Sequence, residues 1–117
     1  MRDIQNVETW LLNARQSSYD AATLSEILQI SRRQLQRQTK RIFGLSPQKW
    51  LDRQRLIEAV KLLKQSRIKE VSYVLGYKHV SHFSREFKRF YGLPPKAYFQ
   101  TAQLNSALSF TPNYSEG

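Results

Sequence analysis

Apolar residues recur at helical spacing along most of the chain, and turn or capping residues stand at the breaks. From about Asp3 to Ala14, Ile4, Val7, Leu11 and Ala14 share a face, with Trp10 beside them. Gln16-Ser17-Ser18-Tyr19-Asp20 interrupts that pattern and offers Asp20 as an N-cap. A short helix follows with Ala21, Leu24, Ile27 and Leu28 on one face, then a tight connection at Gln29-Ile30. Ser31 caps the next helix, which runs from about Arg32 to Ile42 and turns Leu35 and Ile42 inward. Gly44 stops it as a C′ glycine. Ser46-Pro47 opens a longer helix, with serine as cap and proline at the first helical position. That helix is expected to reach about Lys64 and to bury Trp50, Leu51, Leu56, Ala59, Val60 and Leu63.

The pattern then returns. Ile68, Val71, Val74 and Leu75 form a short apolar face, and Gly76-Tyr77 make a turn. A helix over about Val80 to Phe90 packs through Phe83, Phe87 and Phe90; Gly92 ends it and Pro94-Pro95 bar its continuation. A last short helix or turn is expected around Lys96 to Gln100. No strand pattern appears, so the predicted class is all-α.

The recurrence is a sequence repeat. Leu35 to Pro47 and Phe83 to Pro95, 48 residues apart, share Arg, Lys, Arg, Gly, Leu and Pro in register. Two copies are too few for a solenoid. The better expectation is two helix-turn-helix subdomains joined by a long linker helix, homeodomain-like, with about seven helices in all. The expected division is an N-terminal helix and lead-in over 1–18, a first unit over 19–45, the linker helix over 46–64, a second unit over 65–100, and a flexible C-terminal tail over 101–117. The second helix of such a unit fits the major groove of DNA. A linker of about 18 residues spans roughly 27 Å, and with packing at its ends it suits two groove segments about 34 Å apart on one duplex face.

Charge sharpens this picture. The 117 residues carry 19 Lys and Arg against 9 Asp and Glu, a net charge of +10. A balance this basic points to a polyanion. No acidic residue lies between Glu26 and Asp52, whereas Arg32, Arg33, Arg37, Lys40, Arg41 and Lys49 do. A surface shaped for solubility intersperses signs instead. The tail from Thr101 on has no Lys or Arg, cysteine is absent, and the N-terminus turns polar too early for a signal peptide. No apolar run is long enough to span a membrane, so a cytoplasmic, nucleoid-associated protein is expected.

The ordered set of residues resembles the AraC/XylS family of bacterial transcription regulators from about Tyr19 to Phe99. In the second unit the resemblance rests on Ile68 through Val71, Leu75-Gly76-Tyr77, Phe83-Ser84-Arg85, Phe87-Lys88-Arg89, Gly92 and Pro95-Lys96-Ala97-Tyr98. In the first it rests on Leu24, Ser31, Leu35-Gln36-Arg37, Gly44-Leu45-Ser46-Pro47, Arg55-Leu56, Ala59 and Leu62-Leu63. The chain departs from the family pattern at Ser25 and Ser72, where alanine is usual, and at Thr39 and Tyr77, where phenylalanine is common. Serine keeps the close helix approach and can bond back to the preceding turn. Thr39 implies a less firmly packed first unit.

The resemblance implies a transcription regulator, more often an activator working through RNA polymerase, whose longer relatives carry a sensor or receiver domain. Double-stranded DNA is the expected partner, and no cofactor or metal is expected. Arg33, Gln36 and Arg37 match base-contacting positions; Arg suits guanine and Gln suits adenine. Arg32, Lys40, Arg41 and Lys49 are assigned to phosphates. In the second helix the base-reading positions are taken as Val80, Ser81 and Arg85. Lys78, His82, Ser84, Lys88, Arg89 and Lys96 are assigned to phosphates there. Val80 and Ser81 are short, so the first unit is expected to set sequence preference and the second to add affinity.

An enzyme is disfavoured because no phosphate loop, nucleophile elbow or carboxylate cluster is present; Asp3, Asp20 and Asp52 are scattered. His79 and His82 lack a third ligand aimed at the same point and make a poor metal site. A protein-interaction module or anti-activator on the same fold is the alternative, opposed by the basic outer faces of both reading helices. RNA binding lacks an aromatic platform on a sheet.

Overall fold

The computed structural model describes residues 7–104, which form seven helices and no strand. They are α1 (Val7–Gln16), α2 (Ala21–Leu28), α3 (Arg32–Phe43), α4 (Pro47–Leu63), α5 (Ile68–Val74), α6 (Val80–Tyr91) and α7 (Pro95–Leu104). The expected helical residues before Val7, Ile4 among them, and the tail beyond Leu104 lie outside the described residues. α7 is longer than expected: Thr101 to Leu104 continue the helix. Contacts divide the chain into two units between Ala59 and Val60, inside α4. No helix among the described residues is long and apolar enough to cross a membrane.

The first unit packs α1 on α2 and α2 on α3. Leu24, Leu35 and Leu51 are fully buried, and Ala14 and Ala21 let helices close on one another. Trp10, Phe43 and Trp50 form an aromatic cluster: Phe43 stacks on Trp50 at 4.4 Å, and Trp10 meets both edge-on at 5.7 and 5.8 Å. α1 is therefore pinned to the end of α3 and the start of α4. Arg15 reinforces the same attachment through Glu58 at 3.5 Å. The buried face of α1 is Trp10 and Ala14, continued by Ser17; Val7 and Leu11, expected on it, are exposed. The large indoles of this cluster set the docking face and rotate the aliphatic residues outward.

The second unit packs α5 on α6 and α6 on α7 around an aromatic column. Phe83 contacts Tyr77 at 5.2 Å and Phe87 at 5.9 Å, and Phe87 meets Tyr91 at 4.5 Å and Tyr98 at 5.4 Å. Tyr91 takes the fully inward place expected of Phe90, which is only half-buried. The short scaffold helices also differ from expectation. Ile27 and Val74, expected on the apolar faces, are exposed at 38% and 63%, while Ser25 and Ser72 are buried, in keeping with the close approach expected of them. A helix of two turns has one narrow buried face, and here a small residue occupies part of it on the helix that packs against its successor. The Ser25 hydroxyl donates to the Ala22 carbonyl at 2.8 Å, so its burial leaves no orphaned donor.

α4 has no single buried stripe. Pro47, Trp50 and Leu51 are buried near its start, and Leu56 and Ala59 further along are buried on a different face. Val60 and Leu63, expected inside, are half-buried.

Candidate nucleic-acid interface

Two helices, α3 and α6, present the basic faces, and local chemistry fixes both ends of each. Ser31 starts α3 with a reciprocal capping box: its hydroxyl accepts from Gln34 N–H at 3.0 Å, and Gln34 Oε1 accepts from Ser31 N–H at 3.0 Å. His79 is the N-cap of α6 but makes no side-chain cap bond. Gly44 and Gly92 end the two helices in the left-handed region, at φ 75° and 88°. An added Cβ at either glycine meets nothing within 4 Å, so the backbone dihedral, not crowding, demands glycine.

These caps set the register between the helices. Ser31 pairs with His79 and Gly44 with Gly92, an offset of 48 residues. Arg33 then corresponds to Ser81, Gln36 to Ser84 and Arg37 to Arg85. Val80 corresponds to Arg32, so Ser84, not Val80, stands at the place of Gln36. The scaffold helices follow a different offset. Asp20 and Arg67 are their N-caps, and Ile30 N–H bonds Ser25 C=O as Tyr77 N–H bonds Ser72 C=O, an offset of 47. The second turn is one residue longer than the first.

On α3, Arg32, Arg33, Gln36, Arg37 and Lys40 are exposed, as is Arg41, opposite a buried Leu35 and Thr39. Thr39 donates to the Gln36 carbonyl at 3.3 Å. Its counterpart in the other helix is the fully buried Phe87, so the first unit fills this place with far less volume. Gln34, Arg37, Gln38 and Arg41 line a shallow recess of about 250 Å³ on the outer face. Gln34 and Gln38 are not among the expected readers. Their i, i+3, i+4 and i+7 spacing with Arg37 and Arg41 is the signal that places them on the same face. Among the described residues, no carboxylate ion-pairs with Arg33, Arg37 or Lys40. Lys49 is exposed in the first turn of α4.

On α6, Ser81, His82, Arg85, Lys88 and Arg89 are exposed, Ser84 is half-buried, and Val80 is exposed in the first turn. Glu86 sits among the cations, 3.9 Å from His82 Nε2 and 3.7 Å from an Arg89 nitrogen. Those two residues are thus partly occupied within the helix, whereas Arg85 and Lys88 form no such pair with Glu86. Lys78 in the turn and Lys96 at the start of α7 are exposed.

The scaffold of the first unit is held by Asp20 and Gln48. Asp20 Oδ2 accepts from the N–H and the hydroxyl of Thr23, both at 2.9 Å. These bonds to the charged form hold the carboxyl below the usual aspartate range. Gln48 accepts from Ala21 N–H and donates to Tyr19 C=O, both at 2.9 Å, tying the start of α2 to α4. Tyr19 is buried, and that burial pushes its hydroxyl above the usual tyrosine range.

A family model described as a helix-turn-helix domain matches residues 24–101. The transcriptional activator RhaS of Pectobacterium carotovorum is 31% identical over 96 residues, covering 80% of this chain and 34% of that protein. The transcriptional regulator GbdR of Pseudomonas aeruginosa is 33% identical over 95 residues, covering 80% of this chain and 26% of that protein. The chain thus spans about a third or less of the length of these curated relatives. Among solved structures, the DNA-binding domain of AdpA in complex with a target DNA superposes with a TM-score of 0.73 at 27% identity, over 90% of this chain and 96% of that one. The C-terminal domain of the response regulator yesN from Fusobacterium nucleatum does so with a TM-score of 0.66 at 29% identity, over 80% of this chain and 97% of that one. Since the matched stretch takes in both basic helices, all of α5 and α2 from Leu24 on, the chain belongs to the AraC-type helix-turn-helix family of transcription regulators.

Proposed function

We infer that this chain binds double-stranded DNA sequence-specifically and regulates transcription, as a monomer whose α3 and α6 enter two adjacent major-groove segments. The observation that carries this reading is the paired register of Arg37 and Arg85, both exposed on helices ended by equivalent left-handed glycines. The solved AdpA domain, bound to a target DNA, supports it. Arg33, Gln36, Arg37, Ser81 and Arg85 are the base readers in this reading, with Val80 flanking them. Arg32, Lys40, Arg41, Lys49, Lys78, Lys88, Arg89 and Lys96 neutralise phosphates, with His82 and Ser84 at the margin. Activation, the mode in the name of RhaS, is proposed through contact with RNA polymerase. A sensor or receiver domain elsewhere in a longer protein, a cytoplasmic site of action on the nucleoid, and the absence of catalysis complete the proposal.

The test is selection of bound duplexes from a random pool at about 150 mM salt, where non-specific binding is weak. Recovery of two short motifs one helical turn apart, within about 20 base pairs, is the expected result. No enrichment by a folded protein would overturn the DNA-reading proposal in favour of an interaction module on the same fold.

A further inference from the structure

The two reading helices carry a single acidic residue between them. α3 has Arg32, Arg33, Arg37, Lys40 and Arg41 and no acid, whereas α6 has Arg85, Lys88 and Arg89 together with Glu86. On α6, Arg85 lies opposite the buried Phe83 and Phe87 and so marks the middle of the outward face. At about 100° per residue, Glu86 stands to one side of that middle. His82 and Arg89 share this side, and both approach the Glu86 carboxylate, at 3.9 and 3.7 Å. On α3 the same geometry puts Arg37 opposite the buried Leu35 and Thr39, with Gln34, Gln38 and Arg41 on the corresponding side. At the offset of 48 residues these are the counterparts of His82, Glu86 and Arg89. Gln38 and Glu86 are both half-buried, and the recess of about 250 Å³ beside Gln38 is lined by no acid. At this place the two helices exchange a neutral amide for a carboxylate of almost the same shape.

We propose that Glu86 is the residue that limits the grip of the second unit on DNA. The proposal rests on the DNA-binding reading of the chain. A helix in the major groove turns its middle to the bases and its sides to the sugar-phosphate strands. On the side of α6 the carboxylate acts in two ways. It meets phosphate oxygens with a charge of their own sign, a juxtaposition that weakens association. It also holds the Arg89 guanidinium and the His82 ring within the helix, so that either must leave Glu86 before it donates to a phosphate. Glu86 is the more enclosed partner, with 21% of its side chain exposed against 80% for Arg89, so the acid stays in place when the arginine turns outward. In α3 no acid lies in the recess with Arg41, and the Gln38 amide can itself donate to a phosphate oxygen. Sequence-independent attraction is thereby concentrated on the first unit, and the second adds to the complex chiefly where Arg85 meets its base.

Glu86→Gln removes the charge and keeps the shape. In titrations of a selected duplex over a series of salt concentrations, this variant should bind about fivefold more tightly at about 150 mM salt, the effect of one more phosphate contact. The log–log salt dependence should steepen by about 0.9 for the same reason. Because a phosphate contact carries no sequence information, unselected duplexes should gain by the same factor. Gln38→Glu, the reciprocal exchange, should weaken binding by a similar factor and flatten the slope. Unchanged affinity and slope for Glu86→Gln, in a chain that binds DNA, would overturn the proposal and leave the DNA reading intact. A moved thermal midpoint with an unmoved salt slope would also overturn it, by confining Glu86 to holding α6 together. So would the loss of a preference for cytosine at one position, which would make Glu86 an acceptor from cytosine N4. Failure of the unaltered chain to bind any duplex at low salt would remove the DNA reading and this inference together.

Discussion

Arg37 and Arg85 share a register, yet their surroundings differ in charge. Arg37 lies among Gln34, Gln38 and Arg41 in a recess that no acid lines, while α6 carries Glu86 close to His82 and Arg89. Replacing Arg37 by Ala is expected to cost about 1–3 kcal/mol on a selected site and to relax one base preference. Lys40→Ala should instead weaken all sequences alike and lower the salt slope by about 1. Fluorescence titration against matched and mutated duplexes distinguishes the two, and an equal loss everywhere for Arg37→Ala would reassign it to phosphate. A second residue-scale prediction concerns the first turn. Gln29 adopts φ 58° where the second turn has Gly76 at φ 90°. A non-glycine residue held there is strained by roughly 1 kcal/mol, so Gln29→Gly should raise the urea midpoint with no change in slope. A lowered midpoint would mean that the Gln29 side chain makes a compensating contact.

At the scale of elements, the two units reach stability by different routes. The first has capped helices, through Asp20 and Ser31, and a core where Thr39 leaves little bulk. The second has N-caps at Arg67 and His79 that lend no side-chain cap bond, and an aromatic column to compensate. Ser31→Ala, which breaks both halves of the capping box, should destabilise the first unit by about 1 kcal/mol. His79→Ser should stabilise the second by up to about that amount, read as a rise in its thermal midpoint; no change would show that the start of α6 is already held by the turn before it. The caps Asp20 and Ser31 and the stop glycines Gly44 and Gly92 were legible in sequence because they act locally, over three or four residues, whereas Arg67 and His79 are not cap-forming types and were not. The outward basic residues of α3 were legible for the same reason, since Leu35 fixes the phase of the helix. On α2 and α5 the apolar periodicity misplaced Ile27 and Val74, which are exposed; the burial of Ser25 and Ser72 was legible only through the family resemblance, because periodicity does not record a small polar residue at a close crossing. The one-residue difference between the two turns was hidden too. The repeated identities fall within α3 and α6 and in the residues just after each helix, all at offset 48, so the Gln36–Ser84 correspondence needed the caps to fix it.

For the molecule as a whole, the boundary between the units falls inside α4, and the monomer reading turns on how stiffly that helix couples them. Eight Lys and Arg are assigned to phosphates, so a log–log salt slope of about −7 is the upper bound if all engage at about −0.9 each. Coupling is tested by the spacing of the DNA. α4, 17 residues long, rises about 25 Å, and in the monomer reading that length limits how far apart the two motifs can lie. Inserting five base pairs between the two selected motifs turns one of them by about half a turn and moves it roughly 17 Å. Affinity should then fall to that of a single-motif duplex, and ten inserted base pairs should fail to restore it, because the face is recovered but the distance is not. Recovery at ten would require a connection longer than α4, such as two molecules each reading one motif. Indifference to both insertions would leave α3 as the reader and α6 as a grip on backbone, with the specificity of the chain carried by Arg33, Gln36 and Arg37.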